Sequence, residues 1–282
     1  MNRSLIHYID KYFVRLFGYT LMLLVILFSV VPYLWVFISS FKTTQEIFLS
    51  PFKMPGNWSF RNYVNAIDIS KLHLMYINTI IISVMATVLS VIVYSMAAYV
   101  LGRYSFPGGK IVFTVLISSI LIPGNAMIQP IYAMIRQMGL YDTKTGLIII
   151  YTAFGLPIIL FVMKSYFQNL PKELEEAAEI EGASFPYIFL RIMLPLSKPA
   201  VACVTTLTFI GNWNEFLFAY LMSSSRNSRT LPVAIRYFVA EFAFDYAALY
   251  AAVIMVALPS MIVYFLMQNQ IMESLVVGAV KG

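Results

Sequence analysis

Five stretches of this chain run without a lysine, arginine, aspartate or glutamate for long enough to cross a bilayer. They lie between Arg15 and Lys42 (26 residues), Lys71 and Arg103 (31), Lys110 and Arg136 (25), Lys144 and Lys164 (19), and Asp245 and Glu273 (27). A helix needs roughly 20 apolar residues to span about 30 Å of hydrocarbon. A sixth tract, Pro199 to Met222, is interrupted by Glu215 alone. Six spans follow, at 16–40, 76–100, 111–135, 147–168, 199–222 and 246–268. They are expected to be helices, because lipid forces each segment to satisfy its own backbone and no alternating ten-residue strand pattern occurs. Charged residues make up 11% of the chain, against about 25% in a soluble domain. A water-facing globule is excluded.

The same figures bound the chemistry. Arg3, Lys11 and Arg15 precede the first apolar run as they would in a signal peptide. That run is about twice the usual length and no A-x-A cleavage site follows it, so it reads as a retained helix. The net charge of +6 comes from basic residues scattered singly between apolar tracts, which is not the basic stripe of a nucleic-acid binder. His7 and His73 stand far apart and Cys203 is the single cysteine, so no metal site or disulfide is expected. Six spans put both termini on one side. With that side taken as the cytoplasm, ten Lys/Arg fall inside and nine outside, a difference too small for the positive-inside rule to decide.

The loops differ in character. In 43–75, Phe60, Tyr63, Val64 and Ile67 have helical spacing behind Ser59, a cap residue, and Trp58 suits a membrane interface. Thr230 and Pro232 suit the start of a short helix. The loop 169–198 says most. Glu173, Glu175 and Glu176 favour the first turn of a helix over 172–181, and Leu174, Ala177, Ala178 and Glu181 form a slim ridge along it. Gly182 falls where helices end in a left-handed residue. Ser184 can cap a second short helix that Pro195 and Pro199 close. Taken alone, this is as much a solvated helix-turn-helix linker as a functional loop.

The order Glu176-Ala177-Ala178, three residues, Gly182, nine residues, Ile192-Met193-Leu194-Pro195 resembles the EAA signature of binding-protein-dependent ABC importer permeases. Glu181 stands where relatives often have Asp. The chain is most similar to the maltose-type sugar permeases, through Gly211-Asn212-Trp213-Asn214-Glu215-Phe216, Thr230-Leu231-Pro232, Asn62-Tyr63 and the ending Gly278-Ala279-Val280-Lys281-Gly282. The resemblance implies an all-α membrane protein with the type I ABC importer fold and a cytoplasmic coupling helix between helices 4 and 5. It implies an N-terminal part over 1–71, a transmembrane core over 72–268 with the coupling loop 169–198, and a C-terminal tail over 269–282. Both termini and that loop would face the cytoplasm of a bacterial inner membrane, and the tail would reach toward the ATPase. The substrate would be a sugar from an extracytoplasmic solute-binding protein. The other partners would be a second homologous permease, two ATP-binding subunits and membrane lipid, with no nucleic acid. Glu176, Ala177, Ala178, Gly182, Ile192, Leu194 and Pro195 would couple the spans to the ATPase.

Gly108-Gly109-Lys110 lacks the earlier glycine and the following Ser/Thr of a P-loop. No cofactor is therefore expected on this chain, and ATP and Mg would sit on the partner. No G-x-S-x-G, H-E-x-x-H or paired intramembrane carboxylate marks an enzyme. An ion-coupled carrier would rest on Glu215 alone, and an ABC permease for a non-sugar solute is the other alternative. For the path, Pro123-Gly124-Asn125 and Gln129-Pro130 should loosen the third span, as a packed kink or as exposed carbonyls facing a cavity. Asn125 and Gln129 are candidates there. Asn212 and Asn214 serve equally to bind a sugar or to bond a neighbouring helix. Glu215 should face the bundle interior.

Overall fold

A computed structural model describes residues 3–240 and 243–279, with side chains over 14–238 and 245–269. The last three residues of the chain, and with them the end of the expected tail, lie outside the described residues. Apart from a ribbon of two two-residue strands, β1 (Val239–Ala240) antiparallel to β2 (Ala243–Phe244), the described elements are helical.

The chain divides into two compact units. Unit one comprises 1–70 and 238–255. Its helices are α1 (Arg3–Ser39), α2 (Thr44–Leu49) and α3 (Arg61–Ser70). α2 starts with a reciprocal cap: Glu46 N donates to Thr43 Oγ1 and Glu46 Oε2 accepts from Thr43 N. Glu46 Oε1 also accepts from Gly56 N, and these backbone donors hold its carboxyl below the usual range. α3 begins at Arg61, whose N–H donates to Ser59 Oγ, so the expected cap acts two residues ahead. Asn62 Nδ2 donates to the Ser40 and Lys42 carbonyls, and the Tyr63 and Ser40 hydroxyls stand 2.7 Å apart. The Asn-Tyr pair therefore fastens the turn that follows α1. Trp58 packs on Phe41 at 5.1 Å between ring centres. Lys42, expected as a loop cation, is buried, its ammonium donating to the Ser50 and Pro51 carbonyls.

Unit two comprises 71–237 and 256–282. It holds α4 (Leu72–Arg103), α5 (Gly109–Ser118), α6 (Ile128–Gln137), α7 (Lys144–Phe154), α8 (Leu156–Asn169) and α9 (Glu173–Ile180). α10 (Phe185–Tyr187), a π turn over Ile188–Met193 and α11 (Leu194–Leu196) follow, then α12 (Lys198–Asn214), α13 (Leu217–Met222) and α14 (Leu231–Ala234). α15 (Tyr246–Ala279) passes from unit one into unit two. Residues 14–39, 72–103 and 246–269 are continuous helices long and apolar enough to span. Two more expected spans are bent pairs, α5/α6 by 97° and α7/α8 by 44°. The expected span 199–222 is α12 and α13, and the third bend, 82°, lies before it, between α10–α11 of the loop 169–198 and α12.

The first two bends fall at Pro123 and Gly155. Ile122, before Pro123, is extended (ψ 113°), as a residue preceding proline prefers. The expected single span over 111–135 is thus two arms, and Pro130 sits harmlessly in the first turn of α6. At Gly155 an added Cβ would lie 2.8 Å from Ser90 Oγ, so only glycine lets α4 approach so closely. In the loop 169–198, Pro195 does not close the helix as expected. Helical turns continue to Leu196, and the widened π turn lies where a proline four residues past Arg191 would otherwise clash. The fifth span also departs from expectation, since α12 stops at Asn214 and α13 resumes at Leu217.

The end of unit two opposite Arg103 is tied by Asp142, a non-glycine residue at φ 58°. Its Oδ1 accepts from the N–H groups of Ser224 and Ser225 and from the hydroxyls of Ser225 and Ser228. Desolvation pushes the carboxyl up, but the Ser228, Ser225 and Ser224 hydrogen bonds outweigh it and hold it well below the carboxylate range. A depressed carboxyl stabilises fully above its unfolded pKa of about 3.9, and that stability is lost as pH falls through the folded value. Asp142→Ala is therefore expected to lower stability by about 2 kcal/mol at neutral pH. The deficit should shrink below about pH 3. Thermal melts in detergent at the two pH values check this.

Candidate functional site

Two clusters in unit two gather most of the residues singled out above. The first surrounds α9. The helix ends in a Schellman arrangement: Ala183 N donates to Ala178 O and Gly182 N to Glu179 O, with Gly182 left-handed at φ 78° as expected. Its glutamates do not all face outward. Glu175 is buried, accepts from Tyr99 Oη at 2.6 Å and pairs with Arg103 at the end of α4. Arg103 spends its remaining donors on the carbonyls of Phe167, Leu170 and Pro171. One guanidinium thus binds the end of α8, the linker and α9 to α4.

The residues of 172–181 sum to a net charge of −4, with five glutamates against Lys172, and that pair lowers the charge on the helix surface. With Glu175 neutralised by Arg103, the exposed side carries Glu173, Glu176, Glu179 and Glu181 against Lys172, a net of −3. Among them stands Ile180, 86% exposed at the tip. The motif residues divide by role. Ala178, Ile192 and Leu194 pack against the buried cluster of Tyr99, Phe167, Phe189 and Met193. Glu176, Ala177, Gly182 and Pro195 remain exposed.

The second cluster lies where α7 breaks to α8 and α12 to α13. A cavity of about 370 Å³ is lined by Gly124, Tyr151, Thr208, Gly211, Asn212 and Glu215 among others. Glu215 faces inward as expected. Its carboxylate accepts from Tyr151 Oη (2.7 Å) and from the N–H groups of Phe218 (2.8 Å) and Ala219 (2.9 Å). It caps α13 across the break. Asn212 donates to Thr87 Oγ1 on α4, and Trp213 Nε1 to the Val256 carbonyl. Gly211 leaves open space where a side chain would project. The segment 211–216 therefore anchors α12 to two helices and presents its gap to the cavity. Asn214 bonds back to Ile210 O and is exposed, and Asn125 and Gln129 are exposed outside this cavity. Three of the five path candidates are thus not gathered with the other two.

Sequence reasoning missed Arg103, Tyr99 and Tyr151. Arg103 was visible as the single cation closing the second apolar tract. The tyrosines were not, because nothing distinguishes them from the chain's other aromatics.

The sequence profile described as "Binding-protein-dependent transport system inner membrane component" matches residues 95–271. The chain belongs to that family. It is 36% identical over 263 residues to the diacetylchitobiose uptake system permease protein NgcG of Streptomyces coelicolor, covering 92% of this chain and 87% of that protein. It is 32% identical to the trehalose/maltose transport system permease protein MalG of Thermococcus litoralis, covering 96% and 98%. A bacterial ABC transporter involved in alginate import has the same fold, at a TM-score of 0.81 and 23% identity over 95% of this chain and 98% of the other. This permease therefore has the type I ABC importer fold and is a transport component. The first cluster and the lining of the cavity fall inside the matched residues, and Thr87 lies just before them.

Removing one member of the buried pair should be costly. Arg103→Ala is expected to destabilise the permease by about 3–5 kcal/mol, because Glu175 is left unpaired. Arg103→Met with Glu175→Met should recover much of that loss. Thermal unfolding of both variants in detergent is the check.

Proposed function

We propose that this permease is one half of the translocation path of an ATP-driven importer for a sugar or oligosaccharide. The observation that carries the reading is α9: an acidic helix ending in a left-handed glycine, with Glu176 and Ala177 exposed and its root fixed by a buried ion pair. Such a helix suits a basic groove on a separate ATP-binding subunit, where ATP and Mg would be held, and Glu176, Ala177, Gly182 and Pro195 would meet it. Arg103 and Glu175 would pass its displacement to α4, with Ala178, Ile192 and Leu194 as the packing beneath. A second permease subunit would supply the other half of the path, and an extracytoplasmic solute-binding protein would deliver the solute.

The sugar class follows from the relatives, whose names specify diacetylchitobiose, trehalose and trehalose/maltose uptake. In this reading the bacterial inner membrane holds the permease with both termini and α9 cytoplasmic. The cavity at Asn212 and Glu215 is the stretch of path belonging to this chain, and Asn125, Gln129 and Asn214 line it in another state or at the sister subunit. Glu215 weighs against an ion-coupled carrier, since three donors commit its carboxylate to a helix cap.

Two experiments test the reading in a complex reconstituted with its ATP-binding subunits and binding protein. Gly182→Val adds a β-branched side chain at a left-handed residue, costing about 1–2 kcal/mol locally, and Glu176→Lys reverses a surface charge. Both variants should insert normally yet dock the ATP-binding subunit weakly or uncouple hydrolysis from uptake. Co-purification and substrate-stimulated ATP turnover equal to wild type would reduce the loop to a linker. Glu215→Leu removes the acceptor of two amides and Tyr151, about 1–3 kcal/mol for each group left unsatisfied. It should abolish uptake while ATP-binding subunits still co-purify, and normal uptake at normal expression would contradict the assignment.

A further inference from the structure

Two adjoining cavities lie at the Arg103 end of unit two. The larger, about 770 Å³, lies along the turn between α4 and α5 and the end of α8. Arg103, Lys110, Lys164 and Lys172 line it and no carboxylate does. Arg103 is committed to Glu175, whereas the three lysines form no ion pair among the described residues. Lys164 Nζ sits 4.0 Å from the Phe113 ring centre. Gly102 lets α4 come close to α8, since a Cβ there would lie 3.2 Å from the Lys164 carbonyl.

The smaller cavity, about 370 Å³, runs between α4, α5 and the π turn, with Met96, Val100, Val112, Leu116 and Phe189 on its walls. Leu101 and Phe106 line both cavities. A cationic chamber and an apolar crevice thus meet at the same two side chains, at the ends of three membrane-crossing segments. Lipid headgroups lie at the ends of spanning helices, and basic pockets between membrane helices suit lipid phosphates.

We propose that these cavities form a binding site for an anionic phospholipid, its phosphate among Lys110, Lys164 and Lys172 and an acyl chain in the crevice. Free phosphate would use the chamber but leave the crevice empty. A protein partner is disfavoured by charge: the surface that takes the acidic α9 is basic and would be repelled here, an argument resting on the proposed docking. The lipid measurement below does not depend on that docking.

The test is native mass spectrometry of the full-length permease released from phosphatidylcholine nanodiscs containing phosphatidylglycerol. A lysine facing an anionic headgroup contributes about fivefold in affinity. Lys110→Gln with Lys164→Gln should therefore retain phosphatidylglycerol about 25-fold less than wild type. Lys53→Gln with Lys71→Gln, elsewhere on the chain, should retain it unchanged. Independently of any variant, phosphatidylglycerol should shield Lys110, Lys164 and Lys172 of the wild type from acetylation and phosphatidylcholine should not. Equal retention of the two lipids, or undiminished retention in the Lys110/Lys164 variant, would overturn the proposal. So would displacement of the lipid by inorganic phosphate, or shielding of the lysines by ATP-binding subunits and not by lipid.

Discussion

Lipid offers the backbone no hydrogen-bond partner, so every interruption of a spanning helix has to be repaired from within the protein. This permease interrupts its helices repeatedly and repairs the breaks with side chains. Glu215 accepts from the two amides freed where α12 gives way to α13. Ser90 Oγ reaches the Thr152 carbonyl beside the Gly155 bend. Ser197 Oγ returns to the Met193 carbonyl at the corner before α12. The cavity opens where two of these repairs face each other. A spanning helix can thus expose a gap to a path only because another group has taken over its hydrogen bonds.

The same economy governs charge. A buried charge is tolerable only when its partners satisfy it, and the charges buried here are bonded accordingly. Lys42 donates to two carbonyls. Glu175 and Arg103 share a pair in which the guanidinium also takes three carbonyls. That pair has a mechanical consequence. α9 is a helix of eight residues, too short to hold itself in water, so its position depends on what fastens it. Arg103 fastens it to α4, whose other contacts include the Asn212 bond to Thr87 beside the cavity. α4 thus bonds both to α9, through Arg103, and to the lining of the cavity, through Thr87.

Much of this was legible in the residues. The helices α1, α4 and α15 and the bent pairs α5/α6 and α7/α8 could be read from charge-free tracts, because no charge enters lipid without cause; α12 and α13 came from a tract that Glu215 interrupts. Gly182 was readable as a left-handed helix end, and Thr230 with Pro232 as the start of α14. What could not be read was the sharpness of the bends and the direction of single side chains. Pro123 announced a disturbance but not 97°, since the angle depends on the packing of both arms. Glu175 looked like one of five surface glutamates; its burial depends on Arg103, 72 residues away. Asn212 and Asn214 were equivalent on paper. Only the neighbouring helix distinguishes the buried one bonded to Thr87 from the exposed one that bonds its own turn.

The central claim is that the exposed face of α9 is covered by a separate ATP-binding subunit. Cys203 is free and buried, so a cysteine introduced at the exposed Ile180 tip can be labelled selectively. The measurement is the rate at which maleimide modifies Ile180→Cys in the permease alone and in the complex with its ATP-binding subunits. The account predicts fast labelling of the isolated permease and strong protection in the complex. An equal rate in both, with the subunits demonstrably bound, would contradict it.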